Sequence, residues 1–119
     1  MDWIAKALVL FVAIEHFFFM YLETLAWTKP LGKKVFRLSD ERAETTASLA
    51  VNQGWYNGFL AAGLLWALFR WSTTGVEFAA FFLSCVVVAG IVGAATVNKR
   101  IFFVQSTPAL VGLIVLFFA

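Results

Sequence analysis

The chain has 119 residues, of which 62% are hydrophobic and only 13% are charged. A soluble domain averages about 45–50% apolar and about 25% charged residues. The composition therefore excludes an ordinary water-soluble domain and makes the bilayer the solvent for most of the surface. The net charge of +2 is too small to indicate a nucleic-acid partner, and the single cysteine, Cys85, excludes an intrachain disulfide.

The sequence predicts an all-α membrane protein in which four transmembrane helices form an up-down bundle within one domain, residues 1–119. A crossing helix needs about 20 mainly apolar residues. The predicted helices cover about 3–27, 40–70, 77–98 and 101–119. The second helix is expected to begin outside the membrane, because "SDER" is typical of an N-cap followed by acidic residues. In the connector before it, Pro30 and Gly32 are expected to break any helix.

The basic residues indicate an orientation. Two lie on one side of the four-span chain, Lys6 and Arg70. The others lie in the first and third connectors, which face the opposite side: Lys29, Lys33, Lys34, Arg37, Arg42, Lys99 and Arg100. Basic connectors stay in the cytoplasm, so both termini are predicted to lie outside a bacterial inner membrane. The stretch "KKVFRL" mixes basic and apolar residues and is expected to lie on the anionic lipid surface.

The second helix carries three amides and two glycines in "VNQGWYNG", residues 51–58. At 100° per residue, Gln53 and Asn57 lie on the same side as Gly54 and Gly58. Small residues allow helices to approach closely in a membrane. This face is therefore predicted to contact protein rather than lipid, and Asn52 lies at its flank.

Ionisable residues occur in the first helix. His16 and Glu23 share one face with Met20 and Trp27, and Glu15 lies about 100° from His16. A charged side chain at the bilayer centre costs at least about 2.5–3.5 kcal/mol. Glu15 is therefore expected to face the interior, to be protonated or to have a partner.

These polar residues predict a cavity near the cytoplasmic side that binds or transports a small polar or amphipathic molecule, in a chain that forms homo-oligomers. The proposed ligand-binding residues are Glu15, His16, Glu23, Asn52, Gln53, Tyr56, Asn57 and Gln105. Catalytic residues and cofactors remain unassigned and no metal site is predicted, because the sequence lacks a nucleophile–base set, a phosphate loop and zinc-ligand spacing. Polar residues also hold membrane helices together without a ligand, so a structural or partner-binding subunit stays open.

Most of the chain resembles the uncharacterised bacterial membrane-protein family DUF1304. The resemblance lies in "ALVLFVAIEHFFFMYLETLAWTKPLGKKVF", "LAVNQGWYNGFLAAGLLWAL" and "VAGIVGAATVNKRIFFVQSTPAL". It implies four membrane spans and no particular activity.

The chain is also distantly similar to membrane-associated eicosanoid and glutathione metabolism proteins, which have four spans. That similarity implies a trimer and an alternative function, a membrane-embedded enzyme acting on a lipophilic substrate. Gln53 and Asn57 fall on the two amide positions of its second-helix pattern. The arginine and glutamate of the pattern are replaced by Leu49 and Tyr56, which argues against glutathione binding. Glu15 is similar in placement to the first-helix carboxylate of small multidrug-resistance exporters.

Overall fold

A computed structural model describes residues 2–118 and is helical throughout. It contains α1 (Asp2–Leu25), α2 (Pro30–Phe36), α3 (Asp40–Phe69), α4 (Thr73–Thr96), a π-helical segment (Phe102–Ser106) and α5 (Thr107–Phe118). Within residues 2–118 there is no β-strand. The predicted all-α class is therefore confirmed.

Two of these helices, α1 and α4, are long and apolar enough to cross a bilayer. The helical stretch Phe102–Phe118 is apolar but shorter. In contrast, α3 has 30 residues, but the amides Asn52, Gln53 and Asn57 interrupt its apolar part. Length and composition thus support two of the four predicted spans, and the four-span bundle stays a prediction.

The start of α3 agrees with its capping signal. The helix begins at Asp40, and the hydroxyl oxygen of Ser39 accepts a hydrogen bond of 3.1 Å from the backbone N–H of Arg42. A serine at the N-cap satisfies one of the N–H groups that the first turn leaves open. The predicted range of about 40–70 therefore matches α3 closely.

The prediction that Pro30 and Gly32 break any helix in the first connector is wrong, because α2 spans both residues. Pro30 occupies the first turn, where its missing N–H costs nothing and its fixed φ favours the helix. Gly32 is buried, and a Cβ there would lie 3.0 Å from Trp27 Cα and still closer to the Ala26 carbonyl. Glycine is required here by this close approach and not by chain reversal.

The described chain divides into two compact units. The first contains residues 2–14 and 60–118, and the second contains residues 15–59. A buried apolar cluster forms the core of the first unit, and its members come from α1, α3, α4 and α5: Val9, Val12, Ala13, Leu64, Ala67, Ala79, Leu83, Val86 and Ala109. Four of the nine are alanines, and such small side chains allow close helix packing.

The helix that ends the chain contains the π-helical segment immediately before α5. The N–H of Thr107 bonds to the carbonyl of Phe102, five residues earlier, and the next residue, Pro108, has no N–H to donate. The Ser106 hydroxyl donates a 2.9 Å hydrogen bond to the carbonyl of Val87 on α4. Gly90 makes this approach possible, because a Cβ at Gly90 would overlap the Ser106 hydroxyl.

Candidate functional site

Within the second unit, α1 and α3 pack through the two glycines of "VNQGWYNG". A Cβ at Gly54 would lie 2.7 Å from Thr24 Cγ2 and 3.1 Å from Glu23 Cβ. A Cβ at Gly58 would lie 2.6 Å from the sulfur of Met20. The glycine part of the predicted protein-facing side of the second helix therefore contacts α1.

This contact buries a polar pair. The side-chain amide of Asn57 donates a hydrogen bond to Glu23 Oε1, and each residue is only 6% exposed. A buried carboxylate and a buried amide each lose water, so each needs a partner. The structure thus brings together two of the residues predicted to bind a ligand.

About two turns before Glu23, α1 carries the other predicted ionisable residues. His16 is fully buried, and its ring packs edge-on against Phe19 with 5.2 Å between the ring centroids. His16 Nδ1 lies 3.9 Å from Glu15 Oε1, which is too long for a hydrogen bond. Glu15 Oε1 is itself buried and accepts no hydrogen bond from any residue in the described range 2–118.

The remaining predicted ligand-binding residues are not part of this buried set. Asn52, Gln53 and Tyr56 are exposed on α3. The pairing of Gln53 with Asn57 on one face is therefore divided, because only Asn57 points into the contact with α1. Gln105 belongs to the first unit and is partly buried in the π-helical segment. Their roles in ligand binding stay predictions.

A third polar contact of the second unit did not figure among the predicted site residues. The Trp27 indole N–H donates a 3.0 Å hydrogen bond to the Thr46 hydroxyl, and the Trp27 and Phe36 rings lie 4.9 Å apart. A helical wheel could have indicated this contact, because Trp27 shares a face with Glu23 and Thr46 shares a face with Gly54. Thr46 also donates to the carbonyl of Arg42 at 2.6 Å.

The buried set consists of Glu15, His16, Glu23 and Asn57, whose side chains are able to form hydrogen bonds and, except for Asn57, to bind or release a proton. Carboxylates and imidazole are the groups that hold protons or small cations in membrane proteins. Among residues 2–118, no three His, Cys, Asp or Glu side chains lie close enough together to hold a metal ion.

Comparison with known proteins gives one family. The sequence model described as "Protein of unknown function (DUF1304)" matches residues 10–117. The chain is also similar to "Uncharacterized protein YpaA" of Lactococcus lactis subsp. lactis (strain IL1403), with 36% identity over 113 residues. That alignment covers 93% of this chain and 94% of the relative. No solved structure matches.

Proposed function

This chain belongs to the DUF1304 family, as its sequence resemblance predicted, and since the family description names no activity we propose a function from the residues themselves. The chain is a small integral membrane protein that binds a small polar or amphipathic molecule at the buried polar set of its second unit. Glu15 and His16 handle a proton or a cation, and Glu23 and Asn57 form hydrogen bonds to the molecule. Carboxyl groups inside a membrane favour transport of that molecule as the function of the site.

The distribution of apolar side chains supports the placement in a membrane. Large apolar residues are exposed along the helices, among them Phe81 at 63% and Phe117 at 82%. Soluble monomers rarely expose apolar patches of more than a few hundred Å². A bilayer accommodates such side chains. The proposal includes four spans and places both termini outside a bacterial inner membrane.

The observation that carries the binding proposal is the buried oxygen of Glu15. Glu15 Oε1 lies within an apolar helix and accepts no hydrogen bond from the described residues. A buried polar atom of this kind requires an explanation in a native protein, and an ionisable residue inside a membrane helix is by default a functional one. A ligand group that donates a hydrogen bond, or a proton, satisfies this oxygen.

Native mass spectrometry from mild detergent tests the proposal. The wild-type chain is expected to retain a bound small molecule, and Glu15→Gln is expected to lose it. Glu44→Gln is the matched control, because Glu44 is exposed and lies outside the buried set. A wild-type spectrum without a bound mass, or equal retention by all variants, would contradict the proposal.

A second candidate function has an observation of its own. Asn57 and Glu23 form a hydrogen bond within the chain, as expected when polar groups join helices. The chain would then be a structural subunit of a larger membrane assembly. Co-purification of one other membrane protein in a fixed ratio, with no small molecule retained, would favour this function.

A further inference from the structure

The short helix α2 is held in place at three points. Gly32 packs against the backbone at Ala26 and Trp27, and the Phe36 ring packs against Trp27. The ammonium group of Lys33 lies 2.7 Å from the Asp40 carboxylate at the start of α3. These contacts involve one side of α2, and they determine which residues on its other side are exposed.

The opposite side of α2 combines positive charge with an apolar side chain. Leu31 is 45% exposed, and Lys34 is exposed on the same side. Lys29 precedes the helix and Arg37 follows it, and both are exposed. Within residues 2–118, neither Lys29, Lys34 nor Arg37 forms an ion pair, whereas Lys33 does. We name these four exposed residues, Lys29, Leu31, Lys34 and Arg37, the α2 basic patch.

Arg37 is present at a position that does not favour it. Its φ of 54° and ψ of 51° place it in the left-handed region at the C-cap of α2, and it is the one non-glycine residue with positive φ in the described chain. Glycine is the usual residue at a helix end with this conformation, because it has no Cβ to strain the backbone. Arg37 therefore adopts this conformation at a cost to the backbone.

We infer that the α2 basic patch docks on anionic lipid headgroups, with Lys29, Lys34 and Arg37 at the phosphates and Leu31 at the level where the acyl chains begin. The inference rests on the proposed membrane placement and goes beyond the ligand site. Basic residues next to a membrane helix are attracted to anionic lipid. An exposed leucine between cations is typical of a helix that lies in the interface plane. An acidic protein partner would need no apolar residue inside the patch.

Nanodiscs of two lipid compositions test the inference. The chain is placed in nanodiscs of phosphatidylcholine alone and in nanodiscs with phosphatidylglycerol added, and the thermal unfolding midpoint is measured by tryptophan fluorescence. The wild-type midpoint is expected to rise with phosphatidylglycerol. Lys34→Gln combined with Arg37→Gln is expected to remove at least half of that rise. The control is the double variant Lys6→Gln with Arg70→Gln, which also removes two positive charges but at positions outside α2. This variant is expected to keep most of the rise in midpoint.

The variant Arg37→Gly separates an effect on lipid binding from an effect on folding. Glycine relieves the left-handed backbone, so this variant is expected to unfold at the wild-type midpoint or above it in phosphatidylcholine. Because it also removes the cation, its midpoint is expected to gain less from phosphatidylglycerol. If Arg37 had only a structural role, the midpoint of Arg37→Gly would instead rise with phosphatidylglycerol as much as the wild-type midpoint does.

The inference and the proposed function fail in different ways. An equal lipid gain in all variants would overturn the lipid docking and leave the ligand site untouched. Loss of ligand retention without any change in lipid preference would leave the docking intact. A chain that fails to enter nanodiscs would overturn the membrane placement and the lipid docking together. A lipid-independent partner that binds the wild type and not the Arg37 variants would assign the patch to that protein.

Discussion

Asn57 on α3 donates its side-chain amide to the carboxylate of Glu23 on α1, and both side chains are only 6% exposed. The two residues are 34 positions apart in the chain. Their hydrogen bond therefore belongs to the tertiary structure and not to either helix alone. Removing this hydrogen bond would therefore show how strongly the α1–α3 contact within the second unit depends on polar groups.

Asn57→Leu is expected to destabilise the protein by about 1–3 kcal/mol, because it leaves the Glu23 carboxyl buried without its donor. Adding Glu23→Met should recover most of this loss, since a buried pair replaced by apolar groups of similar shape is nearly neutral. Thermal unfolding in detergent measures both variants. A double variant no more stable than Asn57→Leu would contradict the role of this hydrogen bond as a matched pair.

Gly54→Leu is expected to destabilise the protein by about 1–3 kcal/mol, because overpacking forces neighbouring groups apart. The nearest groups are Thr24 Cγ2 and Glu23 Cβ, at 2.7 and 3.1 Å from the position of a Cβ. Unfolding midpoints in detergent report the change. The control is Ala62→Leu, a change of the same kind at an exposed position of α3; equal effects at both positions would contradict the contact.

Gly90→Ala is expected to destabilise the first unit by about 1–3 kcal/mol, because the new methyl group overlaps the Ser106 hydroxyl. Ser106→Ala alone removes the hydrogen bond to the Val87 carbonyl and should cost about 1 kcal/mol. The double variant should lose less than the sum of the two, because the overlapping atom is gone. Strictly additive losses would show that the two positions do not meet.

The ion pair between Lys33 and Asp40 predicts a pH dependence at the start of α3. The hydrogen bond and the charge of Lys33 lower the pKa of Asp40 below its usual value. A lowered folded-state pKa gives stability that is complete above the ordinary aspartate value of about 3.9 and is lost as the pH falls through the folded-state value. Amide hydrogen exchange of α2 should therefore quicken as the pH falls through this range, relative to the same measurement on Asp40→Asn.

The comparison with Asp40→Asn separates the ion pair from the intrinsic pH dependence of exchange. Both residues are at the surface, so added salt is expected to weaken the difference between wild type and variant near neutral pH. A difference that persists unchanged below the folded-state pKa of Asp40 would contradict the assignment.

The proposed orientation predicts the activity of fusion reporters. A reporter active only outside the cytoplasm, fused after Ala119, is expected to be active, because the basic connectors stay inside. The same reporter inserted after Leu38, next to Arg37, is expected to be silent. A silent but well-expressed fusion after Ala119 would overturn the outward termini.

Features fixed by local chemistry were predictable from the sequence. Ser39 and Asp40 carry a capping signal that acts within one turn, so the start of α3 could be predicted at about residue 40. The glycine face of α3 was also predictable, because residues 54 and 58 repeat at the helical period and small size has one main use in such a helix.

Features that depend on neighbouring segments were not predictable. Gln53 and Asn57 lie 40° apart on a helical wheel, and only the position of Glu23 decides that Asn57 is the buried one. Gly32 suggests a helix break until the Ala26 carbonyl is known to occupy the space of its missing Cβ. The role of Glu15 depends on what satisfies its buried oxygen, and no pattern in a single sequence encodes that.

The π-helical segment Phe102–Ser106 affects which changes of length this helix can accept. A π-turn contains one residue more than the α-turn it replaces. Deleting that extra residue would let an uninterrupted α-helix form, in which the side chains before and after the segment keep their present faces. Deleting one residue from the regular turns of α5 would instead rotate the side chains on one side of the deletion by about 100° relative to those on the other. A one-residue difference in length between relatives is therefore best placed inside this segment and not in the turns that follow it.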